Sequence, residues 1–182
     1  MRHWLAAVLF LILSASLLSG CGYRQIQAED EQVLAVASEY IVLSQRRADQ
    51  VPGLVRIVQT YAPNEREALE RVGSARAAVL AHMPASPDAL GGPATVIAFS
   101  QGNLALSRAV DGLLAISENY PALKADAGFR DLQAQLEEAG GRIDAVQLRY
   151  ADAVRAYNTE IGVWPSSLLA MLMGAKPKAE IR

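Results

Sequence analysis

With 182 residues, 17 basic and 19 acidic side chains and a formal charge of −2, the chain lacks the basic surface that a nucleic-acid partner requires. A single cysteine excludes an internal disulfide, and two histidines leave little room for metal or nucleophilic chemistry. The length suits one domain with a sizeable core, and no low-complexity linker divides it.

The N-terminal segment holds one formal charge, Arg2, then an apolar run from Trp4 to Leu18, then Ser19 and Gly20 directly before Cys21. That order is the layout of a secretion signal, and a run of about fifteen residues is short of the roughly twenty that a helical span needs. Leu18-Ser19-Gly20-Cys21 resembles a bacterial lipobox, in which the cysteine thiol receives diacylglycerol and the amine freed by cleavage is acylated. The pattern predicts a cleaved signal over residues 1–20, a lipidated tether over 21–29 with Cys21 as the attachment site, and a helical domain over 30–182. The competing reading keeps residues 4–18 as an uncleaved anchor and makes Cys21 an ordinary small residue. Either way residues 22–182 face the periplasm or exterior. Gly22 is not the aspartate associated with inner-membrane retention, so an outer-membrane destination is expected in a Gram-negative cell.

Apolar residues then recur at helical spacing. A first seam runs Val33, Val36, Tyr40, Leu43 and resumes as Ala48, Val51, Val55, Val58, Ala62 after a five-residue step. Because proline removes one helical hydrogen bond and crowds the preceding turn, Pro52 predicts a kink or short break near Gln50 to Gly53. Pro63 marks a restart, with Glu65 and Glu67 favouring the next N-terminal dipole. That helix carries Leu69, Val72, Ala75, Val79 and Met83, and ends in the longest connection, Pro84 to Asp88 and Gly91-Gly92-Pro93.

A further helix carries Val96, Phe99, Asn103, Leu106, Val110 and Leu113 and stops near Asn119-Tyr120-Pro121. Asp126 suits an N-cap for the longest seam, Phe129, Leu132, Leu136, Ala139, Ile143, Val146, Tyr150, Ala153 and Tyr157. After Gly162, Pro165 opens a short helix through Leu172, Gly174 closes it, and Lys176-Pro177-Lys178 reads as a polar tail. The predicted fold class is all-α: an elongated antiparallel bundle of about four long helices, kinked near Pro52, with a short C-terminal helix.

Several of these stretches resemble the LemA family of bacterial envelope proteins. They are Tyr40 to Val55, centred on Gln45-Arg46-Arg47-Ala48-Asp49-Gln50-Val51-Pro52-Gly53, then Tyr61-Ala62-Pro63-Asn64-Glu65 and Glu118 to Asp126. Tyr150 to Ile161, which holds the Tyr157-Asn158 pair, and Trp164-Pro165-Ser166-Ser167-Leu168 to Pro177 complete the match. The resemblance implies a membrane-anchored helical bundle outside the cytoplasm, with no established enzymatic activity. The chain departs from the family pattern at Gly140-Gly141, at Ala175 and Ile181, and in carrying a lipobox.

Chemical constellations are sparse. His82 follows a seam near a helix end and reads as a C-terminal histidine, and Val79 occupies the place where a di-metal bundle would carry Glu-x-x-His. Glu137-Glu138 are adjacent and so point to different sectors of their helix. Arg46-Arg47-Ala48-Asp49 is the densest charged cluster; Arg46, Arg47 and Asp49, with Trp164, form the candidate partner surface. The alternative pairs the arginines with Asp49 or with neighbouring helices.

Asn103, on a seam, suits helix register. Gly140-Gly141 costs roughly 2 kcal/mol against two alanines, which leaves open close packing, a bend or simple tolerance. Tyr157-Asn158 suits either a ligand contact or the core. Trp164 and Leu168 to Met173 suit either a bilayer or partner surface, or a cap on the bundle.

The composite expectation is a non-enzymatic envelope lipoprotein without cofactor or metal. It is held to the membrane by lipid on Cys21 and acts as a scaffold or adaptor for an unknown envelope protein. The alternatives are a small-ligand or lipid-binding module, with a pocket near Gly140-Gly141 or beneath the C-terminal helix, and, more weakly, a hydrolase or metalloenzyme using His82.

Overall fold

A computed structural model of the chain describes the backbone of residues 2–181 and the side chains of residues 22–181. The expected cleavage and lipid attachment fall at residues 1–21, whose side chains lie outside the described residues. Six α-helices follow in order: α1 (Arg2–Tyr61), α2 (Arg66–Ala81), α3 (Pro93–Ile116), α4 (Pro121–Ala125), α5 (Ala127–Gly162) and α6 (Ser166–Met173). Short 3₁₀ turns at Asp88–Gly91 and Ser117–Asn119 flank α3. Among the described residues there is no strand, and no helix is long and apolar enough to cross a membrane.

The long helices α1 and α5 form one pair, α2 and α3 the other, and α6 rests on α1 and α5. Val96, Phe99, Asn103, Leu106, Val110 and Leu113 are all buried on α3, and Phe129, Leu136, Ile143, Val146, Tyr150 and Tyr157 are buried on α5, as their spacing predicts. The α2–α3 approach is close at Gly102, where an added Cβ would stand 3.4 Å from the Cα of Val79.

Helix termini follow local chemistry. The Asp126 carboxylate accepts the Phe129 N–H at 2.8 Å as N-cap of α5, and its other oxygen accepts the Tyr61 hydroxyl at 3.1 Å. The start of α5 is thereby tied to the end of α1. Gly174 closes α6 at φ 70°, a left-handed conformation that side chains with a Cβ rarely adopt.

Two expectations need correction. Of the kink or short break expected near Pro52, the break is absent, because α1 continues as helix through the proline to Tyr61. Pro52 has no N–H for the carbonyl four residues earlier, that of Ala48, and the Arg76 Nε–H of α2 donates to that oxygen instead at 2.7 Å. The bundle thus supplies from a neighbouring helix the bond that the proline withholds.

The second correction concerns the polar tail, which is docked. The Asn158 side chain clasps the Lys178 backbone on both sides, donating to its carbonyl at 2.8 Å and accepting its N–H at 2.9 Å. The Ala179 N–H then donates to Gly91 O at 3.0 Å.

Candidate functional site

The Arg46-Arg47-Asp49 cluster is divided by the turn of α1. Arg46 and Asp49 are exposed, and Asp49 accepts from Gln45 Nε2 at 2.9 Å. Arg47, only 3% exposed, points into the bundle. It therefore cannot belong to the same surface as its neighbours, and its partners lie on α3 and α5.

Its Nη1 donates to Ser107 Oγ on α3 at 2.6 Å, while its Nε has no hydrogen-bond partner. The guanidinium borders a cavity of about 210 Å³, whose walls include Asp111 of α3 and Glu137, Gly140, Gly141 and Asp144 of α5. Burial pulls the Arg47 pKa down, and the charges of Asp111 and Asp144 oppose that pull. No carboxylate among the described residues reaches ion-pair distance of Arg47, so its charge is balanced across the cavity rather than by contact.

The two glycines differ in role. An added Cβ on Gly140 would stand 3.4 Å from Arg47 Nη2, whereas one on Gly141 would meet nothing within 4 Å. Gly140 leaves room for the guanidinium, and Gly141 faces open space.

Next to this site, Asn103 is buried on the seam, donating Nδ2 to Phe99 O at 3.0 Å with Oδ1 lacking a partner. The Tyr40 ring packs 4.8 Å from that of Phe99, and its hydroxyl accepts from Gln147 Nε2 at 2.6 Å. Burial pushes the Tyr40 pKa up to about 12, so the phenol stays neutral. His82 is exposed at the C-cap of α2, and its backbone N–H donates to Ala78 O at 3.1 Å. Glu137 and Glu138 are exposed, and Glu138 pairs with Arg142 at 2.5 Å. Among the described residues no group of three or more His, Cys, Asp or Glu side chains is placed to hold a metal ion.

The second cluster lies where the tail returns, and nothing in the local sequence announces it. The Lys178 ammonium is 2.8 Å from Asp30 on α1 and 3.3 Å from Asp88 in the 3₁₀ turn, and lies 5.4 Å from the centroid of the Tyr157 ring. Burial lowers the Lys178 pKa, but the two carboxylates outweigh it and hold the group above its ordinary value. Tyr157 itself is core, at 4% exposure.

Trp164 sits apart from both clusters. It is 80% exposed, joined to Pro165 by a cis peptide, and it precedes an α6 whose Leu168, Met171 and Leu172 also face solvent.

The LemA family model matches residues 37–181. The chain belongs to the LemA family. Two relatives from Paramagnetospirillum magneticum (strain ATCC 700264 / AMB-1), magnetosome proteins MamQ 1 and MamQ 2, are each 28% identical to it over 169 residues, covering 85% of this chain. The chain spans 62% of the length of each. Two of the LemA-like stretches contribute to the clusters described above. Tyr40 to Val55 supplies buried Tyr40, Arg47 and the Pro52 turn, and the Tyr157-Asn158 pair holds the tail.

Proposed function

We propose that this LemA protein is a non-enzymatic scaffold or adaptor of the cell envelope, tethered by lipid on Cys21 after removal of residues 1–20. LemA membership supports an envelope-associated helical protein. The observation that carries the reading further is the direct join between Cys21 and the bundle. Helix α1 contributes core residues from Ile26 to Val58, so the tether leads by continuous helix into a packed element of the bundle. At 1.5 Å per residue, the 36 residues of α5 alone extend about 54 Å, enough to present charged faces well away from a membrane.

A small-ligand reading is favoured by one feature, a hollow of about 580 Å³ between α3 and the tail, lined in part by Ile97, Gln101, Asn158 and Lys178. Its volume falls within the range of roughly 300–1,000 Å³ typical of ligand pockets, whereas the cavity beside Arg47 falls below it. Saturable thermal stabilisation by a small molecule, abolished by Ile97→Glu, would favour that alternative.

The tether and adaptor roles are tested together by mass spectrometry of protein extracted from crosslinked membranes. The expected result is a mature N-terminus at Cys21 carrying diacylglycerol and an acyl chain, with one envelope protein recurrently crosslinked. An unmodified Met1 refutes cleavage, and repeated recovery of no crosslinked protein counts against an adaptor.

A further inference from the structure

We infer that the outer face of α6 lies on the bilayer surface beside the anchor, so that the protein meets the membrane at two points and stands in a fixed orientation. This rests on the tethered reading and adds a second contact to it. Helix α6 docks on the bundle through Ser166, Leu169 and Ala170, and turns Leu168, Met171 and Leu172 outward at exposures of 53%, 71% and 80%. Those three recur at steps of three and one, which places them on one helical stripe. Trp164, 80% exposed, extends the stripe, and no residue of Ser166–Met173 is ionisable. The solvated faces of α2 and α5 are lined with charge. That of α6 carries none.

Its position selects the occupant. An added Cβ on Gly22 would stand 3.0 Å from Leu169 Cδ1 and 3.5 Å from Ser166 Oγ, so α6 lies against α1 at Gly22. Cys21 is the next residue, its Cα about 3.8 Å from that of Gly22 across one peptide bond. Lipid on Cys21, or equally an apolar segment retained before it, therefore holds the bilayer within reach of α6.

The chemistry of the patch fits the same surface. Trp164 and the half-exposed Tyr23 are the aromatic types that favour the headgroup boundary, and leucine and methionine suit shallow insertion between acyl chains. Exposed Arg24 and Lys176 stand close in sequence to Tyr23 and Met173, where cations favour anionic headgroups.

The test uses the full chain carrying Trp4→Phe, which leaves Trp164 as the sole tryptophan whether or not the leader is removed. The protein is reconstituted into vesicles of phosphatidylethanolamine and phosphatidylglycerol whose acyl chains are brominated near the headgroup. Sedimentation reports the tether, and Trp164 fluorescence reports α6. The expected result is sedimentation with the vesicles, blue-shifted emission, quenching by brominated lipid and poor quenching by aqueous iodide. Adding Leu168→Asp and Leu172→Asp should raise iodide quenching several-fold while the protein still sediments.

Sedimentation with Trp164 open to iodide and untouched by brominated lipid overturns the docking and leaves the tether standing. Shielding from both quenchers means that protein covers the face, a second copy of the chain in this purified system, and also overturns it. Protein left in the supernatant overturns the tether and the docking together.

Discussion

Pro52 leaves the Ala48 carbonyl without its helical donor, and Arg76 reaches across from α2 to fill that place. A half-buried carbonyl stripped of its partner costs on the order of 1–3 kcal/mol, so Arg76→Ala should destabilise the wild-type chain by about that much. In a Pro52→Ala background the residue 52 N–H can make the bond itself, and the same Arg76→Ala change should cost about 1 kcal/mol less. Urea unfolding of the four proteins measures the coupling; strict additivity would mean that the arginine does not substitute for the missing amide. The adjacent glycines divide in a similar way. Gly141→Ala adds a methyl in open space and should stabilise α5 by about 1 kcal/mol through helix propensity. Gly140→Leu drives carbon into the place of the Arg47 guanidinium and should cost about 2 kcal/mol or more, because the buried charge loses its arrangement with Ser107. Equal melting temperatures for the two variants would contradict the distinction.

The elements themselves are largely legible because apolar spacing and caps are local signals. The α3 and α5 seams, the Asp126 cap and the Gly174 stop all stand where the sequence places them. The α1 seam is legible only in part. One line of its buried residues runs Val33, Ala37, Tyr40, Ser44, Arg47, Val51, Leu54 and Val58, alternating steps of four and three without interruption, with Val36 and Ala48 buried beside it. An apolar pattern skips Ser44 and Arg47, and so finds a five-residue slip and a break beside Pro52 that do not exist. What holds Arg47 there comes from α3, through Ser107, and no property of residues 44–47 reports it. The tail is hidden for the same reason. Lys176-Pro177-Lys178 is polar by composition, and its fixed position depends on Asn158, Asp30 and Asp88, the last 90 residues away in sequence. Asn158→Ala removes both bonds to the Lys178 backbone, so the tail should detach while the helices remain. Limited trypsin digestion would then cut after Lys178 in the variant well before any cut in the helices, and an unchanged digestion pattern would argue that Asn158 is dispensable to the clasp.

At the scale of the whole molecule, three groups that join separate elements keep their protons more tightly in the folded state. Tyr40 links α1 to α5 through Gln147, Tyr150 of α5 donates to Leu90 O in the 3₁₀ turn at 3.2 Å, and Lys178 joins the tail to α1 and that turn. Burial raises both tyrosine pKa values from the ordinary 10 to about 12, and Asp30 and Asp88 raise that of Lys178 against the opposing effect of burial. In all three the folded pKa lies above the unfolded one. Their contribution is therefore complete below about pH 10 and is lost as pH rises through the folded values, because the unfolded chain then binds fewer protons than the folded one. A shift of two units amounts to roughly 2.7 kcal/mol at full ionisation, which suits Tyr40 as an upper figure, with Tyr150 discounted for the solvent that still screens it. The melting temperature should accordingly be flat near neutrality and fall steeply between about pH 10 and 12. Tyr40→Phe removes the titrating hydroxyl while keeping the ring beside Phe99, so it should shallow that fall even though it loses the Gln147 bond and begins from a lower plateau. Parallel melting curves for wild type and Tyr40→Phe across this range would show that alkaline unfolding begins elsewhere. Because the three protons are held where α1 meets α5, the turn and the tail, their loss should separate the bundle from its C-terminal strap as one cooperative event.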